Sequence, residues 1–373
     1  MEIYMLKRII CVLLLLALSL SLVACGNKYP AVESTREESR VVMRLYADGK
    51  SYDVKYELYR ALFLGYRKSV DGGDLSVWQG ADKDKYISKI DAMILDAATD
   101  IYSTLHHAIK IGINPYSAVI DDKIQEYIKG SVEGYDDGGM SAIGYGGDYD
   151  AYLNALKKKG INYATQVLIY RYAIVYDRIV EYYAGTVDSE NPTTDMSSGA
   201  LQYTEDDIKA YYNGSATSHV LLTTLDSRSF TEKRAKEIRD KLDSFVVKSD
   251  VISYIMNFTA TTEQDATKGV LIGEYSLDIA YYSVVISEAM RIKVGEVSKV
   301  IPVTTERGSY YYILYRIDKS QSYLDQYLGE VATSFVNNEI GKRIAADKDV
   351  LKASVSYTDV LKGLDRSQIK IPE

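Results

Sequence analysis

The chain has 373 residues, of which 47% are hydrophobic and 26% are charged, and its formal net charge is −8. These are ordinary values for globular proteins, so disorder along the whole chain is excluded. No basic block follows the first few residues. Because a nucleic-acid binder needs a cationic surface to displace counterions, nucleic acid is excluded as a partner.

The start of the chain predicts export and lipid attachment. A positive start at Lys7 and Arg8 precedes an apolar run that is too short to cross a bilayer comfortably. The run leads into Leu22-Val23-Ala24-Cys25, which matches the bacterial lipobox. We therefore expect residues 1–24 to be a removed signal peptide, and Cys25 to carry a diacylglycerol that anchors the chain to the extracytoplasmic face of the cell membrane. The alternative is an ordinary signal peptide or membrane anchor with a chance cysteine.

The mature chain is predicted to begin with a polar tether at 25–40 and a mainly helical region at 41–199. Ser51 or Asp53 is expected to cap the first helix. Apolar residues at helical spacing predict a longer helix from about Asp84 to Lys110. The other elements predicted here are a strand at 41–46, a short helix near 120–127, a flexible Gly/Tyr flap at 130–149, a pair of helices within 148–183 and a polar linker at 186–199.

A compact α+β domain is predicted over 204–318. Thr204-Glu205-Asp206-Asp207 is typical of a helix start. The elements predicted after it are strands at 218–222 and 310–317, a charged helix at 231–247 and an apolar stretch at 281–290. The remaining segment, 319–373, contains a helix near 322–345 and a strand at 353–357. It is too short to bury its own core, so we expect it to pack back onto the N-terminal helices.

The order of these features resembles the PrsA-type foldase lipoproteins of Gram-positive bacteria. The helical region is similar to the N-terminal chaperone domain of SurA-type proteins, and four short matches carry that likeness. They are Ala108-Ile109-Lys110-Ile111-Gly112-Ile113, Asp121-Asp122, Tyr152-Leu153 and Gly160-Ile161.

The region 204–318 resembles the parvulin peptidyl-prolyl isomerases. Thr217-Ser218-His219-Val220-Leu221 stands where that family has Ala-Ser-His-Ile-Leu. The segment 268–275, which begins Lys-Gly, stands where the family has Lys-Gly-Gly-Asp-Leu-Gly-Trp-Phe. Val294-Gly295-Glu296-Val297-Ser298 matches the Gly-Glu-(Ile/Val/Met)-Ser turn of the family.

The resemblance implies an α+β protein. Its chaperone domain would be mostly helical, of the SurA/PrsA type, and built from N- and C-terminal segments (41–199 and 319–373). A parvulin-like α/β domain (204–318) would be inserted between them. The implied partners are unfolded or partly folded exported polypeptides and the membrane, and whether two copies pair is left open.

The resemblance also implies candidate site residues. His219 matches one histidine of the parvulin polar cluster, and a tyrosine, Tyr310 or Tyr312, replaces the second. The Asp/Cys position of the family falls at Thr262 or Glu263. The full set of candidates is His219, Glu263, Tyr310 and Tyr312 for catalysis, Tyr281, Val285 and Met290 for substrate binding, and Cys25 for the lipid.

Isomerisation requires no cofactor, because the barrier of about 18–20 kcal/mol comes from amide resonance and no bond breaks. Tyrosine can hydrogen-bond in place of histidine, but it does not take up and release a proton near neutral pH, so we expect an isomerase whose activity is possible but impaired. A metal is not expected either, because neighbours such as His106 and His107 point about 100° apart on a helix. Three alternatives stay open: a structural role for His219, a non-catalytic chaperone or assembly lipoprotein, and a solute-binding lipoprotein.

Overall fold

The computed structural model describes residues 29–137, 140–142, 144–185, 199–258, 268–275, 283–305 and 308–371. Helices predominate, and they are combined with antiparallel sheets, so the predicted α+β class is confirmed. The chain divides into two compact units. Unit 1 holds the described residues up to 176 together with 348–371, and unit 2 holds those from 177 to 347. Unit 1 is therefore built from both ends of the chain.

The secondary structure is numbered here in chain order. The α-helices are α1 (Tyr56–Asp71), α2 (Lys83–Lys110), α3 (Ala118–Glu133), α4 (Tyr149–Lys158), α5 (Tyr163–Ala184), α6 (Glu205–Asn213), α7 (Glu232–Asp243), α8 (Lys248–Ile255), α9 (Ser283–Arg291), α10 (Gln321–Gln326), α11 (Leu328–Ala353) and α12 (Asp359–Lys362). The strands are β1 (Val41–Ala47), β2 (Lys50–Lys55), β3 (Tyr135–Asp137), β4 (Met140–Ala142), β5 (Thr217–Asp226), β6 (Val270–Gly273), β7 (Ile301–Thr305), β8 (Gly308–Arg316) and β9 (Ser356–Tyr357). Short 3₁₀ turns lie at Leu75–Trp78 and Arg366–Gln368.

Unit 1 contains a three-stranded sheet in the order β2-β1-β9. A tight turn joins β1 to β2, with positive φ at Asp48 (+48°) and Gly49 (+72°), as a two-residue hairpin requires. The predicted helix cap at Ser51 or Asp53 is wrong, because both residues pair with β1 inside β2 and α1 begins only at Tyr56.

The long helix predicted from about Asp84 is confirmed as α2. Its residues Ile90, Ile94 and Ala98 recur every fourth position and are fully buried, as an amphipathic helix demands. The predicted pair of helices around Gly160 is present as α4 and α5. Gly160 has a φ of +75°, and an added Cβ would lie 2.3 Å from Leu64 Cδ1, so this turn requires glycine.

Unit 2 is organised around a four-stranded antiparallel sheet in the order β6-β5-β8-β7. One face packs on α9, with Val220, Val285 and Leu314 in that core. The other face packs on α7 and α8, with Leu221, Ile238 and Ile313 in that core. Successive residues of β5 and β8 therefore point into two different cores.

Several predicted elements of unit 2 are confirmed with changed ends. The predicted helix start is α6, where Thr204 and Asp207 form a reciprocal capping box. The strands predicted at 218–222 and 310–317 are β5 and β8, and β5 is longer than expected. The helix predicted near 322–345 is two helices, α10 and α11. Helix α8 was not predicted.

Candidate functional site

The candidate site is a groove of about 940 Å³ in unit 2, beside His219. Its walls come from β5, from the end of β8 with the segment that follows it, and from the residue before Gly269. The residues that line it are His219, Lys248, Lys268, Val294, Gly295, Tyr315, Arg316, Ile317, Asp318, Ser320, Ser322, Tyr323, Gln326 and Tyr327.

His219 is the third residue of β5 and is only 2% exposed. Its Nε2 donates a hydrogen bond to the backbone oxygen of Lys268 at 2.9 Å, so the proton of the neutral ring sits on Nε2. Among the residues that the structure describes, Nδ1 has no hydrogen-bond partner. Burial, followed by the positive charges of Lys248 and Lys319, lowers the pKa of His219 to about 4. The imidazole is therefore neutral near pH 7.

Gly269 allows the Lys268 carbonyl to reach the histidine. Its φ is +71°, and an added Cβ would lie 2.9 Å from the Val220 oxygen and 3.1 Å from His219 Nε2. No other residue type combines that backbone angle with so close an approach. The Lys-Gly pair noted in the sequence is thus the backbone support of the histidine.

Aromatic rings form one wall of the groove. The ring centroid of Tyr323, on α10, lies 4.3 Å from that of His219. Tyr323 stacks on Tyr212 of α6 with centroids 5.7 Å apart and planes 11° apart. Tyr327 follows at 4.9 Å from Tyr323. A row of three tyrosines therefore runs beside the imidazole, and such rings offer broad apolar area together with hydroxyl groups.

The groove is cationic although the chain is acidic. Lys248, Lys268 and Arg316 line it, against the single acid Asp318 among its described lining residues. Lys268 Nζ lies 4.4 Å from the centre of the Tyr327 ring and 2.5 Å from a carboxylate oxygen of Glu330. The excess of positive charge favours segments of polypeptide that carry acidic side chains.

A half-buried lysine lies near the start of β5 and next to the residues that line the groove. Lys319 Nζ donates to the Gly214 carbonyl at 2.5 Å and to Thr217 Oγ1 at 2.6 Å. Burial, and then the nearby Arg316, lower the pKa of Lys319 to about 8. The lysine remains largely protonated at neutral pH, and its charge adds to the positive field around His219.

The structure places the other predicted site residues away from His219. Tyr312 pairs with Thr224 and Tyr310 with Asp226, further along β5. Both tyrosines lie with Val285 and Met290 in the core between the sheet and α9. Val285 is fully buried and Tyr312 is 8% exposed. These four residues are brought together, but on the face of the sheet opposite to His219.

The residue that faces His219 across the strands is Ile317, whose backbone N–H donates to the His219 carbonyl at 2.9 Å. Three candidates, Glu263, Tyr281 and Cys25, lie outside the described residues, as does Thr262. Tyr323 and Tyr327 belong to none of the motifs found in the sequence. Their spacing of four residues after a serine cap at Ser320 is the signal that could have found them.

This geometry suits binding better than proton transfer. Because Nε2 already donates to Lys268 and Nδ1 is buried, neither nitrogen is free to exchange a proton with a bound peptide. Tyr323 and Tyr327 and the three cations, in contrast, line the groove. The arrangement can hold a chain by stacking, by apolar contact and by charge.

The other two histidines belong to unit 1 and have structural surroundings. His106 Nδ1 lies 2.8 Å from the Tyr52 hydroxyl and Nε2 lies 3.1 Å from Asp48 Oδ2. Over the described ranges, no group of three or more His, Cys, Asp or Glu side chains could hold a metal ion. Within those ranges, too, every helix is too short or too polar to cross a bilayer.

Comparison with known proteins gives matches only among solved structures. No family model and no curated protein matches the chain. The foldase protein PrsA from Streptococcus pneumoniae str. Canada MDR_19A is 16% identical, with 85% of this chain and 96% of that one covered and a TM-score of 0.29. PrsA from Lactococcus lactis is 13% identical, with 89% and 99% covered and a TM-score of 0.24.

PrsA from Bacillus subtilis is 18% identical, with 87% of this chain and 98% of that one covered and a TM-score of 0.23. These structures carry the name of the family that the sequence motifs resemble. Identities and TM-scores this low do not transfer a function from one chain to another.

Proposed function

We propose that this chain is a membrane-anchored, extracytoplasmic chaperone of exported polypeptides, and that its groove beside His219 binds extended segments of them. The lipobox at Cys25 supports the location, and the parvulin-like motifs around His219 support the class of ligand. The assignment of 204–318 as a parvulin-like domain belongs to the same proposal.

One observation carries the binding role: a groove of about 940 Å³ has the neighbouring rings of Tyr323 and Tyr327 on one wall and an excess of cations. Promiscuous binding of unfolded chains needs apolar area that costs little conformational entropy, and tyrosine provides it. A site for one small solute needs instead an enclosed pocket with a few fixed polar groups. The open groove therefore favours the chaperone over the solute-binding lipoprotein.

The test is the affinity of residues 26–373 for a permanently unfolded, fluorescently labelled polypeptide, followed by anisotropy. Tyr327→Ala removes one ring of the wall, and we expect it to weaken binding by about three- to tenfold, the equivalent of one aromatic contact. Tyr182→Ala is the matched control, because Tyr182 is an exposed tyrosine of unit 2 that does not line the groove. Equal affinities of wild type and Tyr327→Ala would contradict the proposal.

Peptidyl-prolyl isomerase activity is the second candidate, favoured by the histidine retained in the Thr-Ser-His-Val-Leu motif. The binding wall would hold the prolyl segment while the imidazole contacts it. The measurement is cis/trans isomerisation of short Xaa-Pro peptides by wild type and by His219→Ala. Catalysis that falls in His219→Ala supports an active isomerase. Rates equal to the uncatalysed ones leave a groove that only binds.

A further inference from the structure

The geometry points to a membrane-facing surface on unit 1, presented by the exposed Tyr145 and supported from beneath by Tyr149 and the buried Tyr29, which lies against the interfacial layer of a phospholipid bilayer. We call these three residues the anchor face. This inference rests on the proposed lipid attachment at Cys25. It adds the part of the protein that meets the lipid, which the attachment point alone does not determine.

The chain is fastened to unit 1 almost at its lipid attachment point. Tyr29 is only 3% exposed. Its hydroxyl donates to Glu133 Oε1 at 2.7 Å, and its ring centroid lies 5.3 Å from that of Tyr149. The Tyr149 hydroxyl in turn donates to the Pro30 backbone oxygen at 2.7 Å. The predicted tether of 25–40 is therefore pinned to the end of α3 and the start of α4 from Tyr29 onward.

The contacts after Tyr29 hold the same segment in place. Ser34 Oγ donates to the buried carboxylate of Glu57. Glu38 pairs with Arg60 at 2.7 Å, and both side chains are largely buried. The Arg40 backbone oxygen accepts from Tyr56 N at 2.8 Å. The stretch from 29 to 40 therefore belongs to unit 1 and cannot act as a flexible stalk.

Chain length then limits the distance to the membrane. Cys25 and Tyr29 are four residues apart, and a fully extended chain spans at most about 3.6 Å per residue, or about 14 Å in all. A bilayer interface is itself several ångströms deep. The surface that surrounds Tyr29 must therefore lie at or near the headgroups once Cys25 carries its lipid.

The side chains around Tyr29 suit a neutral interface. Tyr145 is 41% exposed in the turn before α4, and tyrosine is enriched where headgroups meet water because its ring is apolar and its hydroxyl is polar. Among the described residues, the charged side chains on this turn, Asp148 and Asp150, and the partner of Tyr29, Glu133, are acidic. The anchor face is therefore not expected to bind the bilayer through attraction to anionic lipid, and a zwitterionic bilayer is the partner that suits it.

The test uses residues 25–373, which retain every residue that the structure describes, coupled through the Cys25 thiol to a maleimide phospholipid in phosphatidylcholine vesicles. This coupling fixes the attachment chemically, so the geometry is tested whether or not the cell lipidates Cys25. Tyr145→Trp and Val119→Trp each add one tryptophan to the buried Trp78. Quenching by a spin-labelled headgroup lipid reports contact with the interface.

Val119 is the matched control because it is 64% exposed at the start of α3, about 21 Å along that helix from Glu133. We expect the tryptophan at 145 to be quenched several-fold more strongly than the one at 119. Adding Tyr29→Ala should reduce the difference, because the pinned segment is released. Equal quenching at both positions, or a difference that Tyr29→Ala leaves unchanged, would overturn the inference.

Whether the cell lipidates Cys25 is read separately, from the mass of the protein extracted from membranes. A missing diacylglycerol would refute the anchoring in the proposed function. Unequal quenching in the coupled protein would still establish the anchor face. The two failures are therefore distinguishable.

Discussion

At the scale of single residues, burial decides what the groove can do. His219 keeps one proton on Nε2, directed at the Lys268 carbonyl, and its other nitrogen is enclosed. Such a ring supports the strand and the aromatic wall next to it. Changing the backbone turn at Gly269 would displace the Lys268 carbonyl, and both this oxygen and His219 Nε2 would then lose their hydrogen-bond partner.

The buried imidazole predicts a specific loss of stability in acid. Its folded pKa, about 4, lies below the ordinary value near 6.5, so the unfolded chain takes up the proton first. The stability of wild type should therefore fall as the pH drops from about 6.5 to about 4, by up to about 3 kcal/mol. His219→Gln keeps a donor for Lys268 but does not titrate, and it should lack this part of the fall.

Urea unfolding of wild type and His219→Gln at a series of pH values measures the effect. The difference between the two proteins at each pH isolates His219, because His106 and His107 are present in both. A difference that stays constant across this range would show that the ring protonates as easily in the folded protein as in the unfolded one.

The sequence could predict His219 but not its neighbours. Thr-Ser-His-Val-Leu marks a strand and names the histidine, and both are observed in β5. Which residue of β8 faces it depends on strand register, and a shift of one residue moves a side chain to the other face of the sheet. The pairing of Val220 with Arg316 sends Tyr310 and Tyr312 into the α9 core. No local pattern in the tyrosine-rich strand determines that register.

At the scale of elements, one arginine fixes the last turns of the chain to the first helices of unit 1. Arg366 Nη2 lies 2.7 Å from Asp91 Oδ2, and its Nη1 donates to two backbone oxygens of the neighbouring α12 region. The Tyr59 hydroxyl donates to the same Asp91 at 2.5 Å. The arginine and aspartate side chains are 6% and 18% exposed.

Arg366→Ala should destabilise unit 1 by about 3–5 kcal/mol, because it leaves the largely buried Asp91 without its cation. Lys362→Ala is the control on the same segment: its pair with Asp359 is exposed on both sides and should be worth less than about 1 kcal/mol. Thermal or urea unfolding of both variants gives the comparison. Similar losses in the two would contradict a buried, stabilising pair.

Helices were easier to predict than the joints between them. The length of α2 could be predicted because apolar residues recur along it at helical spacing, so that one face of the helix is buried. Ser51 and Asp53 were misassigned because the same residue types serve helix caps and exposed strand positions, and only pairing with β1 distinguishes the two. The break between α10 and α11 at Tyr327 has no proline, and the nearest glycine, Gly329, lies inside α11, so local sequence does not mark the break.

At the scale of the whole molecule, the two proposed binding surfaces lie in different units. Unit 2 contains the groove, and unit 1 contains the anchor face and the ion pair between Arg366 and Asp91. The segment 319–373 was predicted to return as a whole to the N-terminal helices because it is too short to form a core alone, but only 348–371 join unit 1. Residues 319–347 belong to unit 2, where Tyr323 and Leu324 pack with Tyr212. The attachment of Tyr29 to unit 1 could not be predicted from the sequence, because a polar segment with one aromatic residue is typical of a tether.

The two-ended construction of unit 1 also sets the order in which a nascent chain can finish folding. Synthesis delivers residues 41–176 first, but β1 receives its second neighbour, β9, and Asp91 receives its arginine only after residues 356–366 have emerged. Unit 2 has all of its residues before then. The unit that carries the anchor face is therefore the last to close, and until that moment the part of β1 around Met43 and Arg44 has unpaired backbone groups that can pair with other chains.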